Sequence, residues 1–112
     1  MAETFANAKA RLTNTTETDV LGAVPASTTR IVLSVLACNT IDTASSVDCT
    51  LKITNSSNTS LAELAHTIPI PADSALELVS SKLVLTTGDK LRAISNNASG
   101  FLDFAVSYLD IT

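Results

Sequence analysis

The feature that most limits what this chain can become is its punctuation. Short apolar stretches, most of them alternating with period two, are closed one after another by clusters of Gly, Pro, Asn, Asp and Ser. Period two sends successive side chains to opposite faces of a strand, so such stretches are half-buried strands. Strands recurring every 8–12 residues or so, with turn signals between them, point to an all-β sandwich or barrel.

Along the chain, Ala6, Ala8, Ala10 and Leu12 alternate against Asn7, Lys9 and Arg11, as in a strand, although Ala, Lys and Arg also suit a helix. Asp19–Val24 reads as a second strand closed by Pro25, which cannot donate to a ladder. Thr29–Asn39 is dense in β-branched residues and long enough to cross a sandwich. The small polar segment Thr40–Ser46 is a loop. Val47–Thr54 follows, with Val47, Cys49, Leu51 and Ile53 inward and Asp48, Thr50, Lys52 and Thr54 outward. After the turn cluster Asn55–Asn58 come Leu61–Ile70, Ala75–Val79, Leu83–Leu85, Leu91–Ser95 and Phe101–Ile111. In the last stretch Leu102, Phe104, Val106 and Tyr108 alternate with Phe101, Asp103 and Ala105. A closing strand of this kind belongs inside a sheet, so a bulky C-terminal tag is expected to disturb folding. The expected fold is an antiparallel, jelly-roll-like β-sandwich of about eight or nine strands in a single domain covering residues 1–112.

Composition bounds the function. Seven basic residues face 11 acidic ones, a net charge of −4, which opposes binding to a phosphate backbone and leaves nucleic acid out of the expected partners. Only 16% of residues are charged while 46% are apolar, and Ser plus Thr number 29. A surface so poor in charge suggests either contact with partner subunits or an outer face of hydroxyl residues. No apolar run approaches the ~20 residues of a membrane span. The N-terminus lacks a basic segment followed by an apolar block, so folding in a cytoplasm is expected. The Asn-x-Ser/Thr triplets at Asn14, Asn55, Asn58 and Asn97 follow from the hydroxyl richness.

Candidate chemistry is thin. His66 is the single histidine, so a site of two or more imidazoles is excluded. Cys38 and Cys49 flank the Thr40–Ser46 loop and would lie on neighbouring antiparallel strands. They are either a disulfide or, in a reducing compartment, buried thiols. Asp42, Asp48, Asp73, Asp89 and Asp103 could offer oxygen to calcium at loop ends, without the spacing of an EF-hand. Phe5, Phe101, Phe104 and Tyr108 are the only aromatic platforms for a sugar, and alternation sends some of them to the core. P-loop, GxGxxG, GxSxG and HExxH motifs are absent, so no enzyme, metal or cofactor is expected.

Val24-Pro25-Ala26-Ser27-Thr28-Thr29-Arg30-Ile31-Val32, with Cys38-Asn39-Thr40 after it, resembles the entry into and the end of the long strand in small virion structural proteins of tailed bacteriophages. Ile70-Pro71-Ala72-Asp73-Ser74-Ala75-Leu76-Glu77-Leu78 is similar to their Pro-Ala segment. Lys82-Leu83-Val84-Leu85-Thr86-Thr87-Gly88-Asp89-Lys90-Leu91-Arg92 is similar to their Leu-Val-Leu…Gly-Asp stretch. Val106-Ser107-Tyr108-Leu109-Asp110-Ile111 resembles their terminal strand. The chain departs from the pattern at Ser27, where a glycine often follows Pro-Ala.

That resemblance implies a virion protein without catalytic residues, made in the bacterial host cytoplasm. A capsid decoration (cement) protein is expected, with a neck, tail or fibre component and a host-surface carbohydrate-binding module as alternatives. Expected partners are the major capsid protein or other virion proteins and further copies of this chain, a trimer first. Expected contact loops are Thr15–Asp19, Thr40–Ser46 and Asn96–Gly100, with Thr15, Thr16, Asp19, Asp42, Ser46, Asn96 and Asn97 as the residues to test.

Overall fold

The computed structural model describes residues 2–41, 45–79 and 81–112. Among them run nine strands: β1 (Glu3–Leu12), β2 (Thr18–Leu21), β3 (Thr29–Asn39), β4 (Val47–Thr54), β5 (Ser60–Ile70), β6 (Ala75–Glu77), β7 (Leu83–Leu85), β8 (Lys90–Ser95) and β9 (Leu102–Ile111). The all-β antiparallel sandwich read from the punctuation is the fold observed. The first stretch is a strand, not a helix. Its ten residues pair with β9 without a break, from Glu3↔Ile111 to Leu12↔Leu102, and that long-range ladder outweighs the helical leaning of Ala, Lys and Arg.

Two sheets pack face to face. One has the order β1-β9-β3-β6, with β7 also pairing β3, and the other β2-β8-β4-β5. In chain order the pairs nest: β1 with β9, β2 with β8, β3 with β6 and β7, β4 with β5. The chain is thus one long hairpin with its tip at Asn55–Asn58, wrapped so that β3 also meets β9 and β4 meets β8. This is the strand order of an eight-stranded jelly roll whose sixth strand is split into β6 and β7.

The core lies between the sheets. Val32, Val35, Ala37, Leu102, Phe104 and Val106 of the first sheet meet Val47, Cys49, Leu51, Leu91 and Ala93 of the second, all nearly sealed from solvent. Strand β3 owes both of its buried halves to an irregularity. Its register with β9 slips between Val32 and Ser34, so inward positions pass from Arg30 and Val32 to Val35, Ala37 and Asn39. A bulge inserts one residue and reverses the alternation, which is how a run with apolar residues at nearly every position fits one face of a sheet. Edge strand β5 slips against β4 in three places, near Cys49, Lys52 and Thr54, and Thr67 takes a positive φ of 47° there. Those slips, with Pro69, blunt an edge that could otherwise pair with another chain.

The second strand ends at Leu21 rather than Val24, and the sixth at Glu77 rather than Val79. Val24 is still buried, but its N–H and C=O bond the Gly88–Asp89 turn instead of a ladder, and Pro25 follows. In the β8–β9 turn Gly100 has φ +75°, and a Cβ there would lie 2.0 Å from Leu12 O, so no other residue fits against the end of β1.

Candidate interaction surfaces

Register decides which loops meet. Leu12, Asn39 and Leu102 form one row across the first sheet, and Cys49 and Ser95 are paired in the second. The β1–β2, β3–β4 and β8–β9 connections, the three expected contact loops, therefore emerge at the same end, beside the Pro71–Ser74 turn. Asn39 anchors that end from within. Fully buried, it donates from Nδ2 to Ile70 O (2.9 Å) and Ser45 O (3.3 Å) and accepts the Ile41 N–H on Oδ1 (3.0 Å). Thr40 donates its N–H to Phe101 O (2.8 Å), tying the β3–β4 loop to the β8–β9 loop. An open cleft of ≈ 300 Å³ runs between these loops, lined by Thr13, Thr40, Ser99 and Phe101 above Arg11 and Asp103.

The individual loop residues divide. Thr15, Thr16 and Ser46 are exposed. Asn96 is exposed, yet its Oδ1 accepts the Asp48 N–H (2.9 Å), and Asn97 Oδ1 caps the turn from Ser99 N–H (2.8 Å). Asp19 lies on β2 itself, on the outer face of the second sheet, and is engaged by two cations. Asp42 lies outside the described residues.

The outer faces of the two sheets differ in kind. On the second, Asp19, Arg92, Lys52 and Glu63 stand in one cross-strand row. Glu17 pairs with both Lys52 and Arg92 (2.9 Å to the latter), and Asp19 with Lys90 (3.0 Å) and Arg92 Nε (2.8 Å). The Arg92 Nε contact is an ion pair whose angle falls short of a hydrogen bond. Lys90 also donates to Asn58 Oδ1 (2.8 Å) and Lys52 to Ser60 Oγ (2.9 Å), so this face is neutralised by its own side chains.

The first sheet turns an apolar face outward. Phe5, Leu109, Ile31 and Val84 form a row across β1, β9, β3 and β7, with Phe5 74% and Val84 58% exposed. Four residues along β1 lies the row Lys9, Ala105, Leu36 and Glu77, with an uncharged Asn7–Ser107–Ser34 row between. This face was not singled out from sequence. Its signal was present in the outward positions of β3 and β9, which carry Ile31, Leu36 and Leu109 where a solvated face would carry charge.

The candidate chemical groups are scattered. Cys38 and Cys49 are free thiols on different sheets, not on neighbouring strands as expected, so no disulfide joins them. Cys38 points out of β3, between the inward Ala37 and Asn39, whereas Cys49 is sealed in the core and burial pushes its thiol up to about 12. His66 is exposed on β5, with Nδ1 2.7 Å from Glu63. Of the acidic residues, Asp103 is held by Arg11 through two hydrogen bonds of 2.8 Å, which keep its carboxyl below the usual range. Asp89 Oδ2 caps Thr86 (N–H, 3.0 Å), and Asp73 sits in the turn after Pro71 with φ 57°. No three His, Cys, Asp or Glu side chains converge as metal ligands among the described residues.

The aromatic platforms are divided as well. Phe104 is in the core, Phe101 is half-buried, and the Tyr108 ring lies 4.3 Å beneath the Arg30 guanidinium. Arg30 is itself buried, with a two-pronged contact to Asp110 (2.7 and 2.9 Å) and a third bond to Gly22 O (3.1 Å).

Strand order, sheet packing and surfaces define a small jelly-roll sandwich with one loop-rich end, one ion-paired face and one apolar face. No protein-family model matches the chain, and no curated protein matches it. Among solved structures, a chain of the T13 IBDV viral particle is similar over 96% of this chain, with a TM-score of 0.56 and 13% sequence identity. This chain spans 30% of that one's length. At such low identity the likeness is one of fold.

Proposed function

We propose that the chain is a structural subunit of a virus particle, acting by shape and surface burial and without catalysis. The observation that carries this reading is the likeness of fold, over 96% of its length, to part of a chain from an icosahedral viral particle. In its finer form, the reading follows the segments that resemble tailed-bacteriophage virion proteins. The chain is then a capsid decoration protein, assembled in the bacterial cytoplasm, that seats its loop-bearing end on the major capsid protein. The exposed Thr15, Thr16 and Ser46 make the contact while Asn39, Asn96 and Asn97 hold the loops in shape. Several weak contacts add up when copies associate in a closed cyclic form on the capsid.

The test is binding of the recombinant protein to purified capsids of its own phage. Saturable binding at a fixed number of copies per capsomer, weakened by the double variant Thr15→Arg/Ser46→Arg with the fold intact, is expected. Binding confined to necks, tails or fibres would move the protein to that part of the particle. Absence from every part of the particle would sink the structural reading.

A further inference from the structure

We propose that the outer face of the five-stranded sheet is the seat of a second copy of this chain, related by a two-fold axis. The axis runs parallel to the strands, between β9 and β3. The inference concerns the chain in solution and stands apart from its address on a particle.

The argument rests on the cross-strand rows. A two-fold axis in that position lays each row over the same row of the partner, reversed. Phe5 then meets Val84 of the second copy, Leu109 meets Ile31, Ser107 meets Ser34, and Ala105 meets Leu36. At the Phe5 and Ala105 positions a large side chain faces a smaller one, as packed sheets require. At the ends of the second row Lys9 falls opposite Glu77, twice per dimer. Lys9 is exposed and has no ion pair among the described residues. Glu77 is exposed and uses Oε1 for the Val35 N–H (2.8 Å), leaving Oε2 free. An axis at right angles to the strands would instead stack the apolar row on itself and leave Lys9 and Glu77 without opposite charges. Of these two arrangements, only the axis along the strands sets Lys9 against Glu77. Strand spacings put the footprint at roughly 500 Å² per copy, near the lower limit for specific association, so the dimer should dissociate in the micromolar range. The second sheet offers no comparable seat, because its cations and carboxylates already satisfy one another.

Sedimentation equilibrium of the full chain, from micromolar to submillimolar concentration, should show a monomer–dimer equilibrium. Leu109→Asp should weaken it by about a hundredfold or more. Lys9→Glu and Glu77→Lys should each weaken it by about tenfold or more, since each places like charges at both contacts. Mixing those two variants should restore a heterodimer, because both contacts are again between opposite charges. That recovery does not depend on how Leu109→Asp folds, and circular dichroism checks all three variants. A monomer throughout, a trimer, a dimer indifferent to Leu109→Asp, or a mixture with no heterodimer would each overturn the proposal. So would a monomer that covers this face only when bound to a capsid.

Discussion

Ser27 stands where the phage-like segments often carry glycine, and the structure gives that departure a physical meaning. Its φ is +56°, in a turn just before β3, a geometry that costs an L side chain about 1–2 kcal/mol. Ser27→Gly removes the strain but adds freedom to the unfolded chain, worth about 0.4–1 kcal/mol in the other direction. A net stabilisation of about 0.5–1 kcal/mol is expected, read as a raised denaturant midpoint at constant slope, and a loss of stability would contradict it. The thiols give a second residue-scale outcome. Cys49 is sealed and its thiol is pushed up to about 12, whereas Cys38 is half-exposed. In dilute native protein a maleimide should therefore label one cysteine per chain, assigned to Cys38 by peptide mapping, and two in guanidinium. Native labelling of Cys49 would show that the core opens.

At the scale of elements, β3 and β9 carry the first sheet, and the Arg30–Asp110 pair joins them where they leave the apolar core. Arg30↔Asp110 are register partners, so the contact also fixes the pairing of the two central strands on the Val32 side of the bulge. Asp110→Ala leaves a buried guanidinium with only Gly22 O and the face of Tyr108. A loss of about 2–4 kcal/mol is expected, somewhat below the cost at a fully buried pair because Asp110 is one-fifth exposed. Arg30→Met in the same chain should recover much of that loss, since the desolvated charge is gone. If the double variant is as unstable as the single one, the pair is not the cause. The first strand shows how far local sequence carries. Ala6–Leu12 suits a helix or a strand by composition, and only the partner ladder of β9, nearly a hundred residues away, decides between them.

In the whole molecule, the two outer faces differ in how their charges are arranged. Lys52, Lys90 and Arg92 gather with Glu17 and Asp19 in one network on one face, and the opposite face sets Phe5, Ile31, Leu36, Leu109 and Val84 among Lys9, Glu77 and the Arg11–Asp103 pair. The hydroxyl residues accordingly do only part of what a solvated exterior requires, and the apolar row accounts for part of the high apolar content. Strand positions, turn clusters and the sandwich class were legible in the sequence because alternation and turn chemistry act over a few residues. The convergence of the loops at one end was legible only as a guess about sheet ends. The placement of Cys38 and Cys49 was misjudged because adjacency in the chain suggests a hairpin, whereas the jelly roll sends β3 and β4 to different sheets. By itself, then, the sequence determined that this chain makes short antiparallel strands and, away from bulges such as that in β3 and the slip at Ile53/Thr54, which residues of a strand share a face. Which strands pair, which of two apolar faces is buried, and which charges meet were decided only by the tertiary fold, because those depend on contacts between residues far apart in the chain.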